Sequence, residues 1–581
     1  MDIAELARLG GRVDYQQVAF DYRRSPDQDA AEPVRHPVVV VGAGPVGLTL
    51  ALDLAQRGQR VVLLDNDHRL STGSRAICFA KRTLEIWDRL GCGDRMVAKG
   101  VSWKRGRVFF RHEEIYDFDL LPEDGHERPA FINLQQYYAE AYLLERCAAL
   151  PHLEIRWLNK VVAVDPHADH VRLTVETPEG EYRLEAQYLA ACDGSRSPVR
   201  QMLGLESKGR VFKDRFLIAD IRMQPGVGEE AFAPERWFWF DPPFHPKQSV
   251  LLHMQPDHVW RIDFQLGWDA DPEEAKKPEN VIPRVRALLG PGRPFELEWV
   301  SVYTFSCLRM ERFRHGHVFF AGDSAHLVSP FGARGANSGI QDAENLAWKL
   351  AAVLRGEADD ALLDSYGAER EYAADENIRN STRSTDFITP KSEVSRLFRD
   401  AVLDLAKDHA FARRLVNSGR LSVPATLLGS PLNTPDTDAF QGAMVPGAPA
   451  ADAPVLDAEG RAAWLLRLLD GRRFAAMVFA GGDTAQRVRR LQSEADEVTG
   501  LDVLVVHAVS QPPVSLDGAR VLVDEQGWLA RRYDATPGTV YLLRPDQHVC
   551  ARWRDPAPGA VAAALRRALG RDGGGARGGA R

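Results

Sequence analysis

The chain has 581 residues, 45% of them hydrophobic and 27% charged, with a formal net charge of −8. That length exceeds what one hydrophobic core supports and calls for two or three domains, while the acidic balance excludes the basic face that a nucleic-acid partner needs. No run of about 18 apolar residues is present to cross a bilayer, and the first thirty residues lack the basic flank and apolar stretch of a secretory signal, so a cytoplasmic protein without membrane contact is expected.

Residues 1–35 are polar, end in "EPVRHP", and read as an N-terminal extension without a core of its own. From Pro37 the chain runs "PVVVVGAGPVGLTLALDLAQRGQRVVLLDND". The valine run is too short for a helix and reads as a buried strand. Val46, Leu50, Leu54 and Ala55 then recur at helical spacing until Gly58, and "RVVLLD" is a second buried strand. The connection is a GxGxxG turn inside a βαβ unit. Gly42 permits the tight turn, Gly44 lets backbone amides approach a diphosphate, and Gly47 lets the helix pack close; Ala43 and Pro45 complete the candidate binding turn. Asp65, at the end of the second strand, is placed to accept hydrogen bonds from a ribose. NAD and FAD share this fingerprint, so the unit alone leaves the dinucleotide open.

Further along, "LEAQYLAACDGSRSPVRQMLGL" gives a strand ending in Asp193-Gly194, followed by Ser197 and Arg200. It either faces a ligand at the carboxyl edge of the sheet or is an ordinary Asp-Gly turn. The segments "RFLIADIRM", "RWFWF", "SVLLHMQPD" and "VWRIDFQLG" alternate at period two, which predicts an antiparallel sheet with one covered face and aromatics used for packing. In "FFAGDSAHLVSPFGARGANSGIQDAENLAWKL" an apolar run stops at Gly322-Asp323, a glycine-rich loop containing Pro330 follows, and a helix opens near Ser338. Asp323 can accept hydrogen bonds from sugar-like hydroxyls, and Gly332, Gly335 and Gly339 would let backbone press against a flat ring. Six cysteines are scattered singly, without CxxC or zinc-ligand spacing, so they read as reduced thiols and no metal site is expected. Residues 391–430 read as helical, 431–455 as a Pro/Gly/Ala-rich linker, 456–571 as a further α/β domain, and 572–581, "DGGGARGGAR", as disordered.

Taken in order, "GAGPVG", "DGSRSPVR" and "GDSAHLVSPFGARGANSGIQDAENLAWKL" resemble the class A, single-component flavoprotein monooxygenases over roughly residues 36–390. The later part of the chain resembles the phenol hydroxylase and 3-(3-hydroxyphenyl)propionate hydroxylase branch. The resemblance implies an α/β fold with a Rossmann-like FAD-binding domain (the para-hydroxybenzoate hydroxylase fold; residues 36–105, 131–214 and 298–390). It also implies an antiparallel-sheet substrate domain (106–130 and 215–297) and a C-terminal thioredoxin-like domain, here without CxxC. It further implies FAD as cofactor, NADPH or NADH as transient co-substrate, a small aromatic substrate, O2, and a homodimer. In such enzymes hydride passes to the flavin, oxygen adds at C4a, and its distal atom attacks an activated phenolic ring; the same fold also serves oxygenases of larger polycyclic or non-phenolic substrates.

Residue by residue, the resemblance places Gly322 and Asp323 at the ribityl chain, with Pro330, Gly335, Ala336 and Asn337 along the flavin. Arg75 matches an arginine near the adenosine diphosphate, and Gln136 a glutamine near the ribityl region, with Gln135 as competitor. Asp65 stands where many members carry Glu, and His326 holds a structural position. Arg261 matches an arginine beside the flavin. His253 and Gln255 stand where para-hydroxybenzoate hydroxylase has the serine and arginine that grip a carboxylate, a departure that puts such a clamp in question. His253 binds or deprotonates a phenol, or is an ordinary half-buried strand histidine.

Overall fold

The computed structural model describes residues 1–10, 13–73, 75–224, 232–416, 421–509 and 516–571; the tail expected to be disordered, 572–581, lies outside the described residues. Strand β1 (Val34–Val41) ends in four buried valines, whose β-branched side chains suit a pleated surface buried on both faces. Gly42, at φ 106°, turns the chain into helix α1 (Pro45–Gln56), and β2 (Val61–Leu64) returns parallel to β1. A short strand β3 (Cys78–Ala80) leads into α2 (Lys81–Arg89); β4 (Arg105–Phe110), α3 (Gln136–Cys147), β5 (Leu153–Arg156) and β6 (Gly180–Ala191) follow. Then come the strands β7 (Ser207–Met223), β8 (Arg236–Phe240), β9 (Ser249–Met254), β10 (Val259–Leu266), β11 (Phe295–Met310) and β12 (Val318–Phe320), and the helices α4 (Gly335–Leu354) and α5 (Asp364–Ile388).

The centre of the eight-stranded first sheet runs β12-β6-β1-β2-β5 in parallel pairs, and three further strands add antiparallel. Its register fixes the site. Val41 pairs with Ala191, and Ala191 with Phe320, so the three segments that follow, beginning at Gly42, Cys192 and Ala321, leave adjacent strands at the same carboxyl edge, where open α/β sheets bind ligands. The N-terminal extension adds no core of its own; Leu6, Tyr15, Val18 and Phe20 are buried in this domain's core.

The second sheet runs β11-β7-β10-β9-β8-β4. Its pairs are antiparallel with one exception that corrects the expectation from sequence: β8 lies parallel to β4. β4 arrives from a distant part of the chain, so no hairpin constrains its direction. Strands β7 and β11 run straight through positions 214/215 and 297/298, where the sequence divides the domains. Both faces of the sheet are covered, not one. Leu217, Leu252, Trp260, Ile262 and Phe264 pack on one side with the helix Pro278–Leu289. The alternate positions, Arg236, Leu251, His253, Arg261 and Asp263, face a cavity shared with the first domain.

The C-terminal part is an α/β unit with a mixed seven-stranded sheet. Strands β13 (Phe474–Phe479), β14 (Leu501–Ala508) and β15 (Ala519–Asp524) are parallel, and β16 (Val540–Leu543) and β17 (Val549–Trp553) add antiparallel. The stretch "VYLLRPDQHVCARW" is thus a hairpin, its turn carrying Gln547 at φ 55°. This unit is bound to the first domain through buried charges. Arg82 of α2 meets Glu344 of α4 at 2.8 Å and Gln547 at 2.9 Å. Lys349 of α4 meets Glu369 of α5 at 2.7 Å, and Arg544 bridges Glu369 and Asp546. All four side chains of that last cluster are fully buried.

Candidate active site

The glycine turn after β1 separates into positions the protein needs and one it does not. A Cβ on Gly47 would lie 1.9 Å from the Gly42 carbonyl oxygen, and one on Gly42 would lie 2.5 Å from that of Cys192. A Cβ on Gly44 would meet no atom within 4 Å. Gly42 and Gly47 therefore close-pack the strand-to-helix corner, whereas Gly44 leaves clear the approach to the amides at the start of α1. Gly44→Ala is expected to melt like the wild type yet lose bound flavin, and Gly47→Ala to fail to fold; flavin-to-protein ratio and thermal melting check both. Wild-type flavin content in Gly44→Ala would contradict the assignment.

Three aspartates sit at this edge, and burial raises the pKa of each. Asp65 accepts from the amides of Ala43, at 2.5 Å, and Asp67. Asp193 accepts from the Val199 amide at 3.0 Å in the first turn of the next short helix, which Ser197 caps, and its Oδ1 is buried without a hydrogen-bond partner among the described residues. Arg200 ties this corner to the neighbouring one by donating to the Ser324 carbonyl at 2.6 Å. Asp323 differs. Its side chain opens onto the cavity although protein crowds its other sides, and no hydrogen bond to it is donated among the described residues. The corner behind it is fixed: Asp342 Oδ2 accepts from the Gly322 amide at 3.0 Å and meets His326 Nε2 at 2.7 Å, and Arg370 donates to Oδ1 at 2.6 Å. His326 is thereby buried as a brace.

Helix α4 begins at Gly335, three residues before the position expected from sequence, and no side chain caps its start. Gly335, Ala336 and Asn337 line the cavity, so their amides and the positive end of a 20-residue helix face it. The Asn337 side chain itself is used internally: it accepts from the Ala80 amide and Thr83 hydroxyl and donates to the carbonyls of Cys78 and Ala333, clamping this first turn to β3. Gly339 does not press on a ring, as its sequence context predicts; a Cβ there would strike Val46 at 2.7 Å and Gly322 Cα at 2.9 Å, so it packs α4 against the turn. Gly332 likewise makes room for the Arg334 side chain. Pro330 and Arg75 are exposed to the cavity. Gln136 lines it, accepting from the Ala76 amide and donating to Glu140, whose pKa burial raises to about 6. Its competitor Gln135 turns away and donates to the Pro256 carbonyl.

The opposite wall is the second sheet. Arg261 forms a two-pronged pair with Asp263 at 2.8 and 2.9 Å, and Tyr303 donates to the same carboxylate at 3.3 Å. His253, paired with Arg261 across the strands, is 4% exposed; burial pushes its pKa well below the usual histidine value, and Arg236 and Arg261 push the same way. Its Nδ1 has no hydrogen-bond partner among the described residues. Gln255 is fully buried away from the cavity, its amide 3.4 Å from Asp220. Three residues of this wall were missed in the sequence, Arg236, Asp263 and Tyr303. The period-two alternation held the signal: Asp263 stands two positions from Arg261, and an arginine opening the aromatic run "RWFWF" has no reason to be there if the run only packs.

The walls enclose a cavity of about 460 Å³. Its donor set fits FAD on this structure's own terms: an open glycine turn at a helix start, an unbonded aspartate, and a second uncapped helix start in one space. Comparison with known proteins agrees. Residues 35–381 match the family model described as FAD binding domain. The chain belongs to this FAD-binding family. A 3-(3-hydroxy-phenyl)propionate/3-hydroxycinnamic acid hydroxylase from Mycobacterium sp. (strain JLS) is 30% identical over 544 residues, covering 89% of this chain and 90% of its own. A probable NADH-specific resorcinol 4-hydroxylase from Rhodococcus jostii (strain RHA1) is 31% identical, over 90% and 92%. Among solved structures, the p-nitrophenol 4-monooxygenase PnpA from Pseudomonas putida DLL-E4 is 28% identical with TM-score 0.59, covering 67% of this chain and 99% of its own. The flavin-dependent monooxygenase PieE, at 21% identity, shares the fold with TM-score 0.75 over 93% of this chain and 100% of its own.

Proposed function

We propose that the protein is an FAD-dependent monooxygenase that hydroxylates a phenolic aromatic compound, with NADH or NADPH and O2 as co-substrates. The observation that carries this is the single cavity in which the three cofactor segments at one sheet edge face the polar side of the second sheet. Bound FAD supplies hydride acceptance and oxygen activation. The residues of this chain supply the rest. The turn at Gly42–Gly47 and the start of α1 take the diphosphate, Asp65 the ribose, Asp323 and Gln136 the ribityl hydroxyls, and the first turn of α4 the electron-rich edge of the ring. Arg261, held rigid by Asp263, keeps a fixed positive charge in the wall; burial by itself would lower its pKa, but Asp263 outweighs that and holds it above the usual value. Near the fixed charge of Arg261 a phenol ionises more readily. His253 stays neutral in that field, so it orients the phenol by hydrogen bonding and is a poor proton acceptor. The covered sheet keeps water from the reacting ring.

A second reading, oxygenation of a larger polycyclic or non-phenolic substrate, is favoured by a smaller apolar chamber of about 80 Å³ that adjoins the cavity. The C-terminal unit reads as thioredoxin-like and, lacking CxxC, serves packing and not redox chemistry. Exposed Val394, Leu397 and Phe398 on one helix support a homodimer, which light scattering tests. A cytoplasmic location fits the reduced cysteines. Among the described residues no helix is long and apolar enough to cross a membrane. The decisive experiment is aromatic-stimulated nicotinamide oxidation and oxygen uptake, with product analysis, across hydroxybenzoates, hydroxyphenylpropionates, catechols and resorcinols. A purified protein with no flavin absorbance, or oxidation that no aromatic stimulates, would reject the reading.

A further inference from the structure

The second sheet carries two buried arginines in opposite circumstances. Arg261, 6% exposed, spends its guanidinium on Asp263 and the Arg75 carbonyl. Arg236, 7% exposed, makes one long bond, from Nη2 to the Phe331 carbonyl at 3.3 Å. Among the described residues no carboxylate lies within ion-pair reach of it. The candidates nearby are unavailable: Asp263 is already held on two prongs by Arg261, burial pushes the Cys78 thiol up to about 11, and burial raises Tyr303 well above the usual phenol value. Burial correspondingly pushes the Arg236 pKa down from the usual arginine value. A buried cation without a counter-charge is costly unless a ligand supplies one.

The place of Arg236 says what that ligand is. It opens onto both the main cavity and the smaller chamber, whose lining is largely apolar (Val108, Phe118, Phe238, Ile388) but also carries Arg107, already paired with Glu114 and Glu235, and Arg334, which donates to Asn377. The main cavity's wall carries Arg75, Arg236, Arg261 and Arg334 against Asp263 and Asp323 only. We propose that Arg236 anchors a carboxylate on the substrate, so that the preferred substrates are hydroxylated aromatic acids whose ring lies in the cavity with the acid reaching the chamber mouth. A planar fork with free donors matches a carboxylate on two prongs. The clamp that the residues at 253 and 255 do not provide is thereby supplied from the neighbouring strand β8. This inference rests on the hydroxylase reading.

The test uses flavin-loaded full-length protein and matched probes that differ only in charge: 3-(3-hydroxyphenyl)propionate against its primary amide, and 3-hydroxybenzoate against 3-hydroxybenzamide. Binding is measured by calorimetry and turnover by KM and kcat. Wild type is expected to prefer each acid. Arg236→Gln is expected to weaken the acids about 10- to 100-fold, the loss of charged hydrogen bonds, and the amides by less than about threefold, with flavin content unchanged and Arg236→Lys recovering part of the loss. Equal affinity of acid and amide in the wild type overturns the proposal. So does equal loss for both in Arg236→Gln, which would assign Arg236 to holding the Phe331 loop. If only neutral phenols stimulate turnover, the hydroxylase reading stands and this proposal falls. If no aromatic stimulates turnover, the hydroxylase reading falls, and the acid-amide binding comparison still decides the role of Arg236.

Discussion

Asp323→Ala is expected to give a folded protein that loses FAD on dialysis. Among the described residues none donates a hydrogen bond to the side chain, and the corner it stands on is held by Asp342, His326 and Arg370, so its removal leaves the packing intact. What it removes is an acceptor for cofactor hydroxyls. Charged hydrogen bonds contribute about 1.5–3 kcal/mol, which corresponds to an affinity about 10- to 100-fold lower. Burial raises the pKa of this carboxyl. Donors that bind it favour the ionised form, so cofactor binding should release protons when measured near the carboxylate range, in the wild type and not in the variant. Flavin titration by fluorescence quenching together with melting of the apoprotein tests the claim. Unchanged affinity, or an apoprotein that no longer melts cooperatively, would remove Asp323 from the site.

The second large effect concerns stability. Arg544→Ala leaves Glu369 and Asp546 facing each other in a buried cluster, with Lys349 beside Glu369 and His548 beside Asp546 as the remaining balance. Breaking one partner of a buried ion pair costs about 3–5 kcal/mol, and urea unfolding should show a loss of that size. Arg544→Ala with Glu369→Gln should recover part of it, because the stranded charge is gone. The pH dependence follows from sign. Burial alone would raise Glu369 and Asp546, but Arg544 outweighs it and holds both below the usual carboxylate range. Their contribution is therefore complete above the pKa of the unfolded carboxyls and is lost as pH falls through that range and below it. The wild type should lose stability more steeply than the double variant over that acid span. Parallel curves for the two would show that the cluster contributes nothing.

That three segments meet at one sheet edge was legible because each of them is local. A GxGxxG between two strands, an Asp-Gly corner and a Gly-Asp corner each carry their meaning within a few residues, and the register Val41, Ala191, Phe320 needed only the rule that parallel strands align their carboxyl ends. The finer division of labour was not legible. Gly339 and Gly44 look alike in a sequence, yet one packs against Val46 and the other leaves an approach clear. Asn337 resembles a ligand residue until Ala80 and Thr83, far off in the chain, are seen to use it. The substrate wall was least legible. Which face of a strand looks inward depends on neighbours from four separate segments, so Gln255 was put forward while Arg236 and Asp263 passed unnoticed.

Helix α4 has one consequence beyond its first turn. At 20 residues it is about 30 Å long, with Gly335 in the cavity and Glu344, Asn345 and Lys349 further along its length gripped by α2, α5 and the β16-β17 hairpin. A helix transmits displacement along its axis with little loss. The C-terminal unit therefore helps fix the position of the helix start that lines the cavity. A chain ending before residue 430 would keep every motif that names the family and lose that grip.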